Sequence, residues 1–396
     1  MQTIIYILLI IISSGFLGMY PQFLGILFAF LFLYMILRKK FIIPINIEFI
    51  MLLVFSISYS IIISNYTNNF HKIVFFLPYC AYYCGYVIAY IRKKNNIEIN
   101  IILIVFGLFI HAMLNYITNI NSISRNTIDI WLGAHYAATL QGTMIVMSMS
   151  LLYYIIFYIK NPLKKILCIL CVFSAFLYDL VLATRTTIII SILTFFVCYI
   201  YDSIIKKKTK KMFKNMLTIA FIIVIFLLLH ITNVFNVEKI IQNSSMYSRF
   251  LDINTKKSDI SRIHTQILAI KQIFKYPLGG FKMDLGGLDY AHNMFLDILN
   301  ATGFLPFITI IVYYIFNVIN MFKILKSNQY KNKFKILLVS IYFSVLLNFM
   351  FEPIMEGIPE FFVMFCIING MVSRLAKDNC KNSLLLEDKY ENTLDS

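Results

Sequence analysis

The sequence predicts an all-α polytopic membrane protein with about 12 transmembrane helices and one long outer loop that contains a short amphipathic helix. Of its 396 residues 60% are apolar and only 14% are charged, and the mean hydropathy is +0.79. The apolar residues form runs long enough to cross a bilayer, and clusters of Lys and Arg follow every second run. This composition excludes an ordinary soluble enzyme, a disordered chain and a small disulfide-stapled module.

The apolar runs divide the chain into four parts. Residues 1–232 are predicted to hold transmembrane helices 1–9, residues 233–291 a long extracytoplasmic loop, residues 292–374 helices 10–12, and residues 375–396 a cytoplasmic tail without regular structure. The predicted spans are 2–19, 21–37, 45–64, 71–91, 97–117, 134–159, 166–184, 186–201, 213–231, 294–322, 336–351 and 358–374.

The basic residues predict the orientation. The formal net charge is +16, but Lys and Arg recur between apolar runs instead of gathering on one soluble face, which argues against a nucleic-acid partner. One set of loops, with the tail, holds 24 of the 35 Lys and Arg. By the positive-inside rule both termini are cytoplasmic, and the long loop is on the outer side. All six His then lie at or near the outer side, as does Arg185.

Arg185 lies between two apolar runs with almost no loop. An ionised side chain there must be paired or must face a water-filled cavity. A guanidinium offers a planar fork of donors that suits bidentate contact with phosphate. The alternatives are an Arg that only extends to the lipid head groups, or one whose partner is Asp179.

The long outer loop contains a helix signal. Ser261 or Asp259 can cap the helix, which places Arg262 in the first turn, where the helix dipole favours an anion. Apolar residues follow at helical spacing, and Pro277 and Gly279 end the pattern. The alternative is an amphipathic helix that lies on the membrane with basic residues toward the head groups, and both interpretations can hold together.

His292 and Asn293 mark the point where the chain re-enters the membrane, and Asn293 is a possible substrate-binding residue. An unperturbed imidazole titrates near ~6.5, which suits a general base at neutral pH. A hydrogen-bonding role in the fold is the alternative. Glu352 and Glu356 lie in the last outer loop with Glu360, where they could hold acceptor hydroxyls, balance the Arg charges, or simply form a solvated acidic loop.

Several common nucleotide- and metal-binding motifs are absent from the sequence, which limits the reactions that the protein could catalyse. There is no Walker motif, no G-x-G-x-x-G and no H-E-x-x-H, which argues against ATP or a Rossmann-bound nucleotide. Cys168 and Cys171 form a C-x-x-C without a nearby His, so packing inside a span is favoured over a metal or redox site. The sequence therefore predicts no metal and no cofactor.

Three motifs together resemble the O-antigen ligase and O-antigen or capsular polysaccharide polymerase family of bacterial envelopes. Members typically show an Arg at the outer end of a span, a long outer loop whose helix opens with Arg and closes with Pro-x-x-Gly, and a His-Asn-x9-Gly element. The matching segments here are residues 183–190, 261–280 and 291–303, with a weaker match at 124–127 that includes Arg125.

The resemblance implies a glycosyltransferase in the bacterial cytoplasmic membrane that polymerises undecaprenyl-pyrophosphate-linked oligosaccharides on the outer side, without nucleotide sugar or metal. Both the donor and the acceptor are such lipid-linked saccharides, and a chain-length regulator and a flippase are further partners that it allows. Arg185 and Arg262 would hold the donor pyrophosphate, and His292 would take the proton of the attacking hydroxyl with inversion. Arg125 and Arg249 would be secondary phosphate or sugar contacts.

Two alternatives stay open. A ligase would transfer the glycan to a lipopolysaccharide core or another acceptor. The ligase pattern usually has a small residue where this chain has Pro306, which favours a polymerase. A flippase or other transporter of lipid-linked sugars is the alternative from another class. Such proteins carry internal repeats and charges near the midplane of the bilayer, whereas the charges here concentrate toward one face.

Overall fold

The computed structural model describes residues 1–39, 42–64, 76–91, 94–120, 126–210, 213 and 258–394, with side chains except at 94–95, 126, 258–261 and 380–394. The first part of the chain forms α1 (Gln2–Ser13), α2 (Tyr20–Leu37), α3 (Ile47–Ile63), α4 (Leu77–Ile91), α5 (Lys94–Thr118), β1 (Asn126–Ile128), β2 (His135–Ala137), α6 (Ala138–Ser150), α7 (Leu152–Tyr158), α8 (Pro162–Leu182) and α9 (Arg185–Ile205). The later part forms α10 (Ser258–Lys271), α11 (Met294–Thr302), α12 (Phe304–Lys326), α13 (Asn332–Phe351), α14 (Ile354–Gly357) and α15 (Pro359–Leu394).

The predicted class, an all-α polytopic membrane protein, is confirmed. Within the described ranges, eight helices are long and apolar enough to cross a membrane. The predicted spans 2–19 and 45–64 form shorter apolar helices of 12 and 17 residues. The predicted span 213–231 lies outside the described residues apart from residue 213, so the count of about 12 stays a prediction.

The last long helix is the centre of the bundle. Its candidate span, Pro359–Asn379, is 89% buried, against 22% for α8 and 28% for α9. Close packing of α15 on α4 depends on two glycines, because a Cβ at Gly85 would lie 1.9 Å from the Ile367 oxygen and one at Gly370 would lie 2.0 Å from the Tyr82 oxygen. The exposed apolar faces of α8 and α9 are those that a bilayer would cover.

The single span predicted for residues 294–322 is wrong, because Gly303 divides it into α11 and α12. Gly303 has φ 82° and ψ −163°, a conformation that only glycine adopts readily. A Cβ at this position would lie 2.2 Å from the carbonyl oxygen of Pro277. The loop after α10 therefore packs into the break.

Two other boundaries differ from the prediction. The span predicted from residue 134 begins at Ala138, because β2 pairs with β1 as an antiparallel hairpin in the register Asn126↔Ala137 and Ile128↔His135. The prediction of a tail without regular structure is also wrong for the described residues, since α15 continues to Leu394.

Candidate active site

The second and third family-like motifs contact each other in the structure. The amide of Gly280 donates to the carbonyl of Ala301 at 2.9 Å, and the amide of Phe304 donates to the carbonyl of Pro277 at 2.8 Å. The Pro-x-x-Gly loop that follows α10 is thus fixed on the glycine that ends the His-Asn-x9-Gly element. This docking holds α10, which carries Arg262, beside the start of α11, which follows His292.

Arg262 forms an ion pair with Glu352. Nη1 of Arg262 lies 3.7 Å from Oε1 of Glu352, and the Glu352 side chain is 3% exposed. The helix begins at Ser258, so Arg262 lies in its second turn, not in the first turn as predicted. Its charge is therefore balanced by a buried carboxylate at the end of another helix.

Burial is the largest influence on Glu352. It raises the pKa of this carboxyl to about 7, although the Arg262 charge and the hydroxyls of Thr139 and Thr186 oppose the shift. Oε2 of Glu352 has no hydrogen-bond partner within the described part of the chain. This buried acceptor oxygen therefore lacks the hydrogen bond that buried polar atoms almost always have.

Thr186 places the start of α9 at the same site. It directly follows Arg185, the first residue of α9, and its hydroxyl faces Glu352. Arg185 and Arg262 therefore belong to segments that both reach Glu352. The proposed alternative partner of Arg185, Asp179, accepts a hydrogen bond from Thr184 at the turn between α8 and α9.

His292 adopts a left-handed backbone conformation, with φ 53°. Its carbonyl accepts from Nε2 of Gln266 on α10 at 3.4 Å. Nδ1 is buried and has no partner among the residues described. Burial first, and the Arg262 charge second, lower the pKa of His292 to about 4, so the expectation of an unperturbed imidazole is wrong.

Asn293 holds the backbone, which favours the structural role over substrate binding. Its Oδ1 accepts from the amides of Phe295 and Leu296 and caps α11, and its Nδ2 donates to the Met350 carbonyl at 3.2 Å. Asp297 completes the turn by accepting from the amides of Ala291 at 2.7 Å and Asn293 at 3.0 Å. These bonds fix the backbone on both sides of His292.

Glu356 adds a second buried carboxyl. Its Oε1 accepts from the hydroxyl of Tyr59 at 3.4 Å, and no described residue bonds its Oε2. Burial, followed by the neighbouring charge of Asp297, raises the pKa of Glu356 to about 8. Tyr290, two residues before His292 in the chain, also lies within the electrostatic range of Glu356.

The third acidic residue of this loop faces a different cluster. Glu360 accepts from the hydroxyl of Tyr136 at 3.1 Å and is 8% exposed, so the alternative of a solvated acidic loop is wrong. Nearby, Nε2 of His111 lies 2.7 Å from Oδ2 of Asp129. Oδ1 of Asp129 accepts from the amides of Trp131 and Leu132, which fixes the turn of the hairpin.

Several residues that face the predicted site residues were not predicted from the sequence. Asp297 could have been found, because an acidic residue one turn inside an apolar helix usually has a specific role. Tyr59 and Thr139 gave no signal, because each lies far along the chain from the predicted residues. Arg125 and Arg249, the two secondary Arg candidates, lie outside the described residues.

The arrangement combines one guanidinium with an uncharged imidazole and buried carboxyls that retain unpartnered oxygens. Such a site can bind an anion at Arg262 and accept a proton from a hydroxyl nearby. Within the described part of the chain, no group of three His, Cys, Asp or Glu could hold a metal ion. No protein-family model matches this chain, and no curated protein matches it either.

Proposed function

We propose that this protein is an integral-membrane glycosyltransferase that polymerises undecaprenyl-pyrophosphate-linked oligosaccharide repeat units at the outer face of the bacterial cytoplasmic membrane. The observation that supports this most is the meeting of Arg262, His292 and Glu352 at one end of the helix bundle. These groups are distant in sequence, and the sequence alone predicts each of them as a candidate site residue. The three motifs that resemble the polymerase and ligase family supply the substrate class.

Arg262 and Arg185 bind the donor pyrophosphate in this proposal. The acceptor hydroxyl oxygen attacks the anomeric carbon, and the bond from that carbon to the pyrophosphate oxygen breaks with its electron pair. The leaving lipid pyrophosphate gains negative charge, which Arg262 stabilises. Because this leaving group is already activated, the reaction needs no nucleotide. The attack from the opposite side inverts the anomeric carbon.

His292 takes the proton of the attacking hydroxyl. Its imidazole is uncharged at neutral pH, and Nδ1 is without a partner among the described residues, so it is in the state that a base requires. Pyrophosphate bound to Arg262 screens the charge that lowers the pKa of His292. Substrate binding therefore makes the imidazole a stronger base when the acceptor is present. Glu352 is a second candidate base because its pKa of about 7 lies near the working pH.

The outer location is part of the proposal. It is supported by the 24 of 35 Lys and Arg that fall on the opposite side of the bundle in the predicted topology. A membrane-impermeant maleimide tests it in intact cells with Lys282→Cys and Asn328→Cys, both at exposed positions. Labelling of the first and protection of the second support the orientation, and the reverse pattern overturns it.

The decisive experiment uses the purified protein in liposomes with a lipid-linked repeat unit and no nucleotide sugar. A ladder of longer glycans supports the polymerase, and transfer of the glycan only to an added lipopolysaccharide core supports the ligase. Movement of the lipid-linked sugar across the bilayer without new glycosidic bonds supports a transporter and contradicts the proposal. Polymer formed equally well by His292→Ala would remove His292 as the base.

A further inference from the structure

An apolar cavity opens beside α9, on the side that a bilayer would cover. Its volume is about 420 Å³, within the usual ~300–1,000 Å³ of ligand pockets. Its lining comes from α6 to α9 and consists of Met149, Leu152, Ile169, Val172, Phe173, Phe176, Ile188, Ser191, Ile192, Phe195 and Phe196. Phe173 and Ile192 are 55% and 52% exposed, so the cavity is reached from the lipid side.

The lining selects hydrocarbon over a polar ligand. Ser191 carries the one hydroxyl among the lining residues, and that hydroxyl donates to the Thr187 carbonyl at 2.9 Å. The lining therefore offers no polar group that a sugar or a phosphate would need. A water molecule would make few hydrogen bonds in such a cavity, whereas an aliphatic chain would give up no hydrogen bonds on moving into it from the bilayer.

Arg185 lies on the same face of α9 as several residues that line the cavity. On α9, residues Arg185, Ile188, Ile192 and Phe195 recur at the three- and four-residue spacing of one helix face. At 1.5 Å per residue, the lining from Ile188 to Phe196 lies roughly 5–17 Å along the helix from Arg185, which corresponds to the outer half of a ~30 Å hydrocarbon core. An amphiphile with its chain in the cavity would thus have its head group at Arg185.

We infer that this cavity binds the isoprenoid chain of the donor lipid and thereby places its pyrophosphate at Arg185. The inference rests on the proposed function for the choice of an isoprenoid pyrophosphate. The cationic residue at the outer end favours an anionic head group, and the nearness of Thr186 to Glu352 places that head group at the reactive site.

Two matched substitutions on α9 test the inference. Ile192→Trp fills the cavity, whereas Ile189→Trp places the same bulk at a position of equal exposure, 51%, outside the lining. Native mass spectrometry of the purified protein measures binding of undecaprenyl pyrophosphate. We expect Ile192→Trp to raise its Kd at least about tenfold and Ile189→Trp to change it less than about twofold.

Equal Kd values for both variants and the natural protein would overturn the inference. So would an equal loss of phosphatidylglycerol binding in Ile192→Trp, because the cavity would then be an ordinary site for bilayer lipid. As a second measurement, a benzophenone at the terminus of a short polyprenyl pyrophosphate, whose chain ends inside the cavity, should crosslink the natural protein within α6 to α9. A label that falls only on other helices contradicts the inference even if a variant fails to fold.

The binding assay separates this inference from the proposed function. If the lipid binds with the expected pattern but no polymer forms in liposomes, the cavity stands and the polymerase proposal fails. If polymer forms in liposomes and Ile192→Trp binds and polymerises like the natural protein, the polymerase proposal stands and the cavity inference fails.

Discussion

The guanidinium of Arg262 and the carboxylate of Glu352 form an ion pair, with 3.7 Å between Nη1 and Oε1, that joins helix α10 to the end of α13. Glu352 is buried and Arg262 is 27% exposed, so one side of the pair faces the protein and the other faces the entrance. An incoming phosphate can contact the exposed side of the guanidinium. The pair therefore holds Arg262 in position before substrate arrives.

Arg262→Gln should lower the rate of polymer formation by about 100-fold or more, because it removes the cation that, in the proposed reaction, would stabilise the leaving pyrophosphate. Lys271→Gln is the matched control, since it removes a positive charge from an exposed position on the same helix. Initial rates with a lipid-linked repeat unit measure both. A similar small effect of the two substitutions would mean that Arg262 acts only through the overall charge of the outer surface.

His292→Ala should lower the rate by roughly 100- to 10,000-fold, as the loss of a general base does. The amount of protein in the membrane should stay the same. His264→Ala is the control, because His264 is an exposed histidine on α10. Normal glycan lengths in His292→Ala would transfer the role of the base to Glu352, and Glu352→Gln would then be the inactive variant.

Arg185→Lys should raise the KM for the lipid-linked donor by about tenfold despite the retained charge, because an ammonium lacks the planar fork that binds phosphate at two oxygens. Arg374→Lys provides a control, since Arg374 pairs with Asp378 at the other end of the bundle, 2.6 Å from Nη2 to Oδ1. Donor titrations measure both KM values. An unchanged KM in Arg185→Lys would reduce Arg185 to an anchor at the membrane surface.

Glu356→Gln should raise the thermal stability of the purified protein at alkaline pH. Because the folded pKa of about 8 lies above the ordinary 4.5, the natural protein loses stability as pH rises from 4.5 through 8. The glutamine variant lacks this loss, so the difference in Tm should be small at pH 5 and largest above pH 8. Asp284→Asn, at an exposed position, is the control substitution. Equal Tm profiles for Glu356→Gln and the natural protein would contradict the burial of a charged Glu356.

Asp129→Ala should destabilise the protein by about 3 kcal/mol, because a buried carboxylate with a charged or hydrogen-bonded partner at every oxygen is costly to remove. Burial alone would raise the pKa of Asp129, but the hydrogen bond and charge of His111 outweigh it and lower the pKa below its ordinary range. Its contribution to stability is therefore present above the unfolded pKa of 3.8 and is lost only as pH falls below that value.

Asp284→Ala, at an exposed position, is the control for chemical denaturation in detergent. An equal effect of both substitutions would mean that the hairpin does not depend on the pair.

Part of the candidate site could be predicted from the sequence because its residues stand at the start of an apolar run or of a helix signal. Arg185, Arg262 and His292 are conspicuous for this reason, and the structure places Arg262 and His292 within electrostatic range of each other. The role of Asn293 was not evident, since a side chain that caps a helix and one that binds a substrate have the same residue type. Only the bonds to Phe295 and Met350 distinguish the two.

The sequence by itself determined that the chain is a helical membrane protein, because long apolar runs and clustered basic residues are properties of composition and order that need no partner. Tertiary structure alone decided that Gly303 is a break and not part of a span, since the space beside it is filled by the carbonyl of Pro277 from another segment. It also decided that Glu352 is buried with an unpartnered oxygen. Burial and contact depend on which segments meet across the bundle, and the order of residues along the chain does not show which segments these are.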